Sequence, residues 1–526
     1  MKQCYLFLIL VLFVSCKEDN SAVANTKSLS EIFGGGKKLK IDTLLISKFK
    51  NKDLMLFYKE NDLETVWQSL ENRNIIINKL SKSTVDGLEP NDYQANELLD
   101  LEKNFESLND SVLVNYDLML SNNLYKYIHH LAKGKLDPRK LYTDWDLKEK
   151  EININNLMLE GLSKNNFSEI FENCKPKQNY YAQLEKALTE IDAMPYDHSK
   201  PIAFANKGKI KPREVNATLI AIKKRLMYWN YLPKTDSITK IYDKKTVSAI
   251  IYFQENHGQI CDGIIGRSTI NALNFNKSER REQIVANMER WRWFPEDFGN
   301  HYTFVNIPDY AIKVIKNNEI LQSYNVIVGT DKRRSPVFTS KLGAVIFNPT
   351  WTVPPTIIKE DLVPDATKSR RYFGKMHITI FDRKKNKISP YSWNPEKANN
   401  YTYVQDPGDK NSLGRMKIIF PNKFSVYLHD TNHKDGFSRN FRSLSSGCTR
   451  VENPLGLAEY VLGDSVRWNR LKIDEKIAEM KTYSITISQK IQHFQLYFTA
   501  WTHNDHFVFR DDVYNLDFDL YCKLRN

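Results

Sequence analysis

Two side chains near the end of the chain have the types and spacing for nucleophilic chemistry. They are His429 and Cys448, 19 positions apart in FSVYLHDTNHKDGFSRNFRSLSSGCTR, residues 424–450. A thiol is a nucleophile only as thiolate, and a neighbouring imidazole is the usual means of making one at neutral pH. From Phe424 to His429, apolar Phe424, Val426 and Leu428 alternate with Ser425, Tyr427 and His429. That period of two predicts a strand with its apolar side chains in a core and Tyr427 and His429 together on the other face. The spacing lets the chain double back and bring Cys448 beside them. Gly447 permits a sharp turn within Ser445-Ser446-Gly447-Cys448-Thr449-Arg450, which can aim the Gly447 and Cys448 N–H groups at a developing oxyanion. Arg450 suits either of two roles, a cation serving the thiolate or a substrate carboxylate, and a structural ion-pair partner. Read singly, a lone cysteine is more often a small buried hydrophobe and a lone histidine a structural one.

The elements that position this pair read as mainly β. Branched residues recur at 303–307, 311–316, 321–328, 343–347 and 417–420, broken by turn residues such as Asn317-Asn318. Beyond the cysteine, Asn453 and Pro454 suit the N-cap and first position of a helix, and Gly463 its end. Two more strands are expected at 494–500 and 506–510. Between 348 and 414 the pattern is longer and less regular. It opens with the stiff Asn348-Pro349-Thr350-Trp351-Thr352-Val353-Pro354-Pro355. A loop of that length in a compact domain is usually functional or mobile.

The front of the chain, 41–202, reads as helical. Val112, Tyr116, Met119, Leu120, Leu124, Tyr127, Ile128 and Leu131 recur at three- and four-residue steps, a stripe that packs a core. His129 and His130 lie on that helix with no role. After a Pro- and Lys-containing link comes a compact unit, 214–275. It has helices at 217–229, 244–257 (N-capped by Asp243, ended by Gly258) and 267–273. A linking helix, 280–295, joins it to the β region at 300–518.

At 526 residues the chain needs two to four domains, and its formal charge of +13 is spread along its length. No recognisable nucleic-acid motif accompanies that charge, so nucleic acid is not an expected partner; a basic surface suits an anionic polymer or membrane face. The six cysteines form no C-x-x-C pair and no zinc-like spacing with histidine, so neither a metal nor another cofactor is expected. One disulfide, such as Cys174 to Cys261, stays open. Residues 4–14 are apolar behind Lys2, too few to span a bilayer, and read as a secretory leader. Phe13-Val14-Ser15-Cys16 resembles a lipobox, which makes Cys16 the lipidation site and 17–40 a tether.

Tyr427-Leu428-His429-Asp430-Thr431 and Ser445-Ser446-Gly447-Cys448-Thr449-Arg450-Val451 resemble the signature of the YkuD-type L,D-transpeptidases, in the large multidomain branch. Phe57-Tyr58, Val66-Trp67 and the turns 86–90 and 134–139 resemble its helical scaffold domain. Phe253-Gln254, Asp262-Gly263 and Ile265-Gly266 resemble its three-helix peptidoglycan-binding module. The resemblance implies a multidomain α+β protein: helical scaffold, peptidoglycan-binding-like module, and a mainly β catalytic domain with a capping insertion at about 350–413. It implies a lid over Cys448 with Trp351 at its root, although Trp351 equally suits packing of the lid base. The implied reaction is stem-peptide cross-linking through a cysteine thioester. Cys448 is the nucleophile and His429 its base; Gly447, Ser446 and Tyr427 assist the oxyanion or orientation, with Ser446 set to orient His429; Arg450 and Trp351 meet substrate. Peptidoglycan stems are the implied partners and carbapenem β-lactams the implied covalent inhibitors. The expected location is the periplasm, lipid-anchored at the outer membrane. Two other readings stay open: an L,D-carboxypeptidase using the same site, and a non-catalytic wall-binding lipoprotein.

Overall fold

The computed structural model describes residues 38–204, 208–504 and 506–526. The leader, Cys16 and nearly all of the tether lie outside them. The described part is multidomain and α+β. Its front half is a helical body around the helix Asp110–Lys133, whose N-terminus is held by the Asn109 side chain accepting from Val112 N–H. The apolar stripe of that helix, from Tyr116 to Leu131, is buried with Phe57, Tyr58, Trp67 and Phe171 in one core. Buried Asp117 accepts the N–H groups of Val66 (2.8 Å) and Trp67 (2.9 Å) and the Tyr58 hydroxyl (2.6 Å). These bonds compensate for taking a carboxylate out of water. The small module has its own core, with Leu226, Ile250, Phe253 and Leu273, and Asp243 caps Lys244–Asn256 by accepting from Thr246 N–H.

The helix Lys277–Trp293 runs between the units and from Gln283 onward is buried on all sides. Its start is a capping box between Asn276 and Glu279. Arg290 pairs with Asp517 at 2.5 Å, Arg292 with Glu289 at 2.9 Å, and Trp291 stacks on Phe498 with centroids 4.1 Å apart. The module meets the β region through Arg510, which donates to Asp309 (2.6 Å) and to the Asn256 carbonyl (3.0 Å).

The central sheet has the strand order Trp145–Asp146, Val337–Lys341, Gln492–Leu496, His301–Asn306, Ala311–Lys316, Glu319–Gly329, Thr449–Val451, Leu428–His429, Met416–Ile419, Ala344–Phe347, Tyr483–Thr486, with Ser443–Ser445 also paired to Glu319–Gly329. The strand expected at 494–500 divides. Gln492–Leu496 joins the sheet parallel to His301–Asn306, and Ala500–His503 pairs with His506–Phe509 in a separate hairpin. The edge strand Trp145–Asp146 comes from the helical half.

The segment between Asn348 and Gly414 is not an irregular loop. It carries a four-stranded sheet (Trp351–Thr352, Thr402–Gln405, Ile378–Phe381, Lys387–Ile388) and short helices. Its own core includes Leu362, Phe373, Ile380, Trp393 and Tyr403. Its ends meet at a neck where Asn348 N–H donates to the Arg415 carbonyl (2.8 Å). The Asn348 side chain donates to the carbonyls of Lys476, Ile477 and Lys481 at 3.0–3.2 Å.

Candidate active site

The strand carrying His429 is shorter than its alternation predicts. Ser425 has φ 57°, and the Asn422 side chain accepts from the N–H groups of Phe424 (3.0 Å) and Val426 (3.1 Å). Residues 422–426 therefore form a side-chain-held turn, and only Leu428–His429 is ladder-paired. Leu428 still points into the core and His429 is almost fully buried.

Register brings the two halves of the site together. Leu428 pairs with Thr449 and His429 with Arg450 in a parallel ladder. One step back, Tyr427 stands beside Cys448, and its carbonyl accepts from Thr449 N–H (3.3 Å). Partners across strands share a face, as do residues two apart. Tyr427, His429, Cys448 and Arg450 therefore share one face, with the Tyr427 and His429 rings 5.6 Å apart. The N–H and the phenol of Tyr427 both face the sulfur and favour its ionised form.

The imidazole orientation is fixed by main chain. His429 Nδ1 lies 2.5 Å from the Asp430 carbonyl, which can only accept, so Nδ1 carries the proton and neutral Nε2 keeps its lone pair. The Asp430 carboxylate accepts from Arg415 N–H (2.8 Å) and pairs with Lys434. Gly414, at φ +59°, leaves room for it: a Cβ there would lie 2.4 Å from the Asp430 carboxylate. Burial, then the positive fields of Arg450, Lys417 and Lys434, push His429 down to about 3. Burial pushes the Cys448 thiol up, while Tyr427, Arg450 and Lys417 pull against it. Both shifts favour a neutral thiol and a neutral imidazole over an ion pair.

The turn carrying Cys448 is clamped from below. Gly447 has φ +112°, and a Cβ on it would lie 3.3 Å from the Arg334 carbonyl. Its N–H is donated to Ser445 Oγ (3.2 Å), and Ser445 Oγ donates to the Cys448 carbonyl (2.6 Å). Gly447 N–H, expected to serve an oxyanion, is engaged with Ser445 Oγ in this structure. Ser335 Oγ donates to the Gly447 carbonyl (2.8 Å), and the Tyr514 hydroxyl bridges Ser335 N–H (3.0 Å) and the Gly329 carbonyl (2.9 Å). Ser335 and Tyr514 carry no local signal that relates them to Cys448.

Ser446 is exposed, and its hydroxyl accepts from Arg333 Nη1 (2.8 Å). The expected contact with His429 is replaced by the Asp430 carbonyl. Arg333 also holds the lid, through Glu360 (2.9 Å from Nε) and Asp361 (2.8 Å from Nη1). Trp351 packs against the core of the insertion, and its indole lies on the side of Tyr427, where it favours the ionised phenol. The lid thus touches both strands of the site, at Ser446 and at Tyr427.

Among the described residues no group of three or more His, Cys, Asp or Glu is placed to hold a metal, and no helix is long and apolar enough to cross a membrane. Cys174, Cys261, Cys448 and Cys522 are all free thiols; Cys174 is buried and Cys261 exposed, so the candidate bridge between them is not formed.

Residues 300–472 match the family model of the YkuD "L,D-transpeptidase catalytic domain", residues 52–188 a "Scaffold domain", and residues 216–273 a "Putative peptidoglycan binding domain". A protein named "Putative L,D-transpeptidase" from Haemophilus influenzae is 35% identical over 259 residues, 48% of this chain and 52% of the relative. The chain thus spans about half the length of the curated relative it matches. Crystal structures of L,D-transpeptidases from Xylanimonas cellulosilytica (residues 123–326) and Stackebrandtia nassauensis align at 11% identity. They cover 56% and 57% of this chain and 98% and 97% of theirs, with TM-scores of 0.18 and 0.21.

Proposed function

We propose, from the YkuD-type L,D-transpeptidase architecture that this chain has, that it is a peptidoglycan L,D-transpeptidase with Cys448 as nucleophile and His429 as base. The observation that carries this reading is the parallel register of Leu428–His429 with Thr449–Val451, which sets imidazole and thiol on one face. The donor is a tetrapeptide stem, cut between the L-centre of its diamino acid and the terminal D-Ala.

Cys448 sulfur attacks that carbonyl as its proton passes to His429 Nε2. The N–H of Cys448 and the phenol of Tyr427 stabilise the oxyanion. Loss of one such donor typically costs roughly a hundred-fold in rate. The C–N bond breaks, His429 returns the proton to the departing D-Ala amine, and a thioester remains on Cys448. A side-chain amine of a second stem then attacks the thioester. His429 takes the amine proton and returns it to the sulfur as the C–S bond breaks, leaving a three-to-three cross-link. A neutral resting pair suits this sequence, because the proton moves only as the sulfur attacks.

The module at 216–273 is assigned to wall binding, Cys16 to an outer-membrane lipid anchor facing the periplasm, and carbapenems to acylation of Cys448. Incubation with tetrapeptide muropeptides tests the reaction. Cross-linked dimers and free D-Ala are expected; tripeptide monomers without dimers would make it a carboxypeptidase.

A further inference from the structure

Lys417 completes a row across the sheet that sequence order hides. It pairs with His429 in the antiparallel ladder between Met416–Ile419 and Leu428–His429, while His429 pairs with Arg450 on its other side. One cation therefore flanks the imidazole on each side, on the face that carries Cys448. Lys417 Nζ lies 5.1 Å from the Tyr427 ring centroid. Both cations are half-buried, and Cys448 is the ionisable group whose field acts on both. Nearby cations find carboxylates: Lys434 pairs with Asp430, Arg415 with Asp409, and Arg333 with Glu360 and Asp361. Lys417 and Arg450 have no acidic partner among the described residues, and Arg450 Nε is buried without a hydrogen-bond partner. Two uncompensated, partly desolvated cations beside a nucleophile make an anion site.

We propose that Lys417 and Arg450 form a carboxylate subsite that takes the terminal carboxylate of the acyl donor, with Lys417 the residue that selects donors carrying one. This rests on the reaction proposed above. The leaving D-Ala presents its carboxylate one residue beyond the scissile carbonyl, so a donor seated on Cys448 places that charge among the flanking side chains. Arginine offers a planar fork and lysine a point charge, a pairing that holds a carboxylate from two sides. Occupancy also changes the base. The charged groups facing His429 are Arg450, Lys417 and the Lys434–Asp430 pair. A carboxylate between the first two offsets the fields that disfavour imidazolium, so His429 becomes a stronger base when a donor is bound.

The test uses the full chain and two donors, a tetrapeptide stem with free terminal carboxylate and the same stem as carboxamide. It also uses two thiol reagents, iodoacetate and iodoacetamide, read by peptide mass spectrometry at Cys448. The wild type is expected to favour the acid donor, and Lys417→Met to lose roughly ten- to a hundred-fold in the acid-to-amide ratio of kcat/KM, whatever it does to turnover of the amide itself. Lys417→Arg is expected to keep most of the preference. The iodoacetate-to-iodoacetamide labelling ratio is expected to fall in Lys417→Met. Equal use of both donors by the wild type, or a Lys417→Met loss equal on both with an unchanged labelling ratio, overturns the subsite. If Cys448 shows the anion preference in labelling but neither stem is turned over, the reaction fails and the anion subsite stands.

Discussion

His429 and Arg450 are direct cross-strand partners in a parallel ladder only two residue pairs long. Everything that distinguishes this site from a buried histidine and a half-buried thiol follows from that pairing. It sets the buried imidazole beside a guanidinium, whose field adds to burial in disfavouring its charged form, and puts Cys448 one step back on the same face.

The first consequence concerns the thiol. Iodoacetamide labelling of Cys448 is expected to rise with pH through a midpoint above the ~8.5 of a free cysteine, with no step near pH 6.5. A labelling rate already on a plateau at pH 5 would indicate a preformed thiolate–imidazolium pair and contradict the neutral resting state.

Gly447→Ala tests the clamp on the turn. The substitution forces a side chain onto φ +112° and against the Arg334 carbonyl. Strain of this kind costs about 1–3 kcal/mol. Because it falls on the residue before Cys448, the proposed nucleophile, turnover is expected to drop roughly a hundred-fold while circular dichroism stays that of the folded protein. Activity within threefold of wild type would show that the turn does not need glycine.

The lid latch is separable from the chemistry. Arg333 ties Glu360 and Asp361 to Ser446 across a partly exposed surface, where each ion pair is worth about 0–1 kcal/mol. Arg333→Ala is expected to raise hydrogen exchange in residues 355–370 several-fold without altering exchange in Asp110–Lys133. Unchanged lid exchange would mean that the neck at Asn348, rather than the latch, holds the lid down.

A buried histidine outside the site, one of several, contributes to acid sensitivity. His493 is fully buried, its Nδ1 is 2.8 Å from Thr303 Oγ1, and burial pushes it down to about 3. Between about 3 and the ~6.5 of an exposed imidazole, the unfolded chain takes up a proton that the folded chain does not. Its stability contribution is complete above pH ~6.5 and falls with acid by up to about 1.4 kcal/mol per pH unit. Denaturant melts at pH 7 and pH 5 check this: His493→Phe should shrink the difference between them by about 2 kcal/mol, and an unchanged difference would refute the assignment.

Local pattern made much of this legible. The stripe from Val112 to Leu131, the Asp243 cap, and Asn453, Pro454 and Gly463 around Pro454–Leu462 are short-range signals, and the structure places elements where they point. Alternation over 424–429 overstated a strand because Asn422 and the left-handed Ser425 are a competing local arrangement that apolar periodicity does not register. The lid looks irregular in sequence because its strands are two to four residues long and one pairing is remote, Thr352 with Val404 and Trp351 with Gln405. Lys417, Arg333, Ser335 and Tyr514 were invisible for a related reason. Their link to Cys448 exists only through register or tertiary contact, and a lysine on a short strand reads as a solvated face.

The most direct test of Cys448 as the acylated nucleophile is peptide-level mass spectrometry after exposure to a carbapenem, with Cys448→Ala in parallel. A single covalent adduct mapped to Cys448 in the wild type and none in the variant is the expected result. An adduct on another residue, or equal labelling of Cys448→Ala, would contradict it.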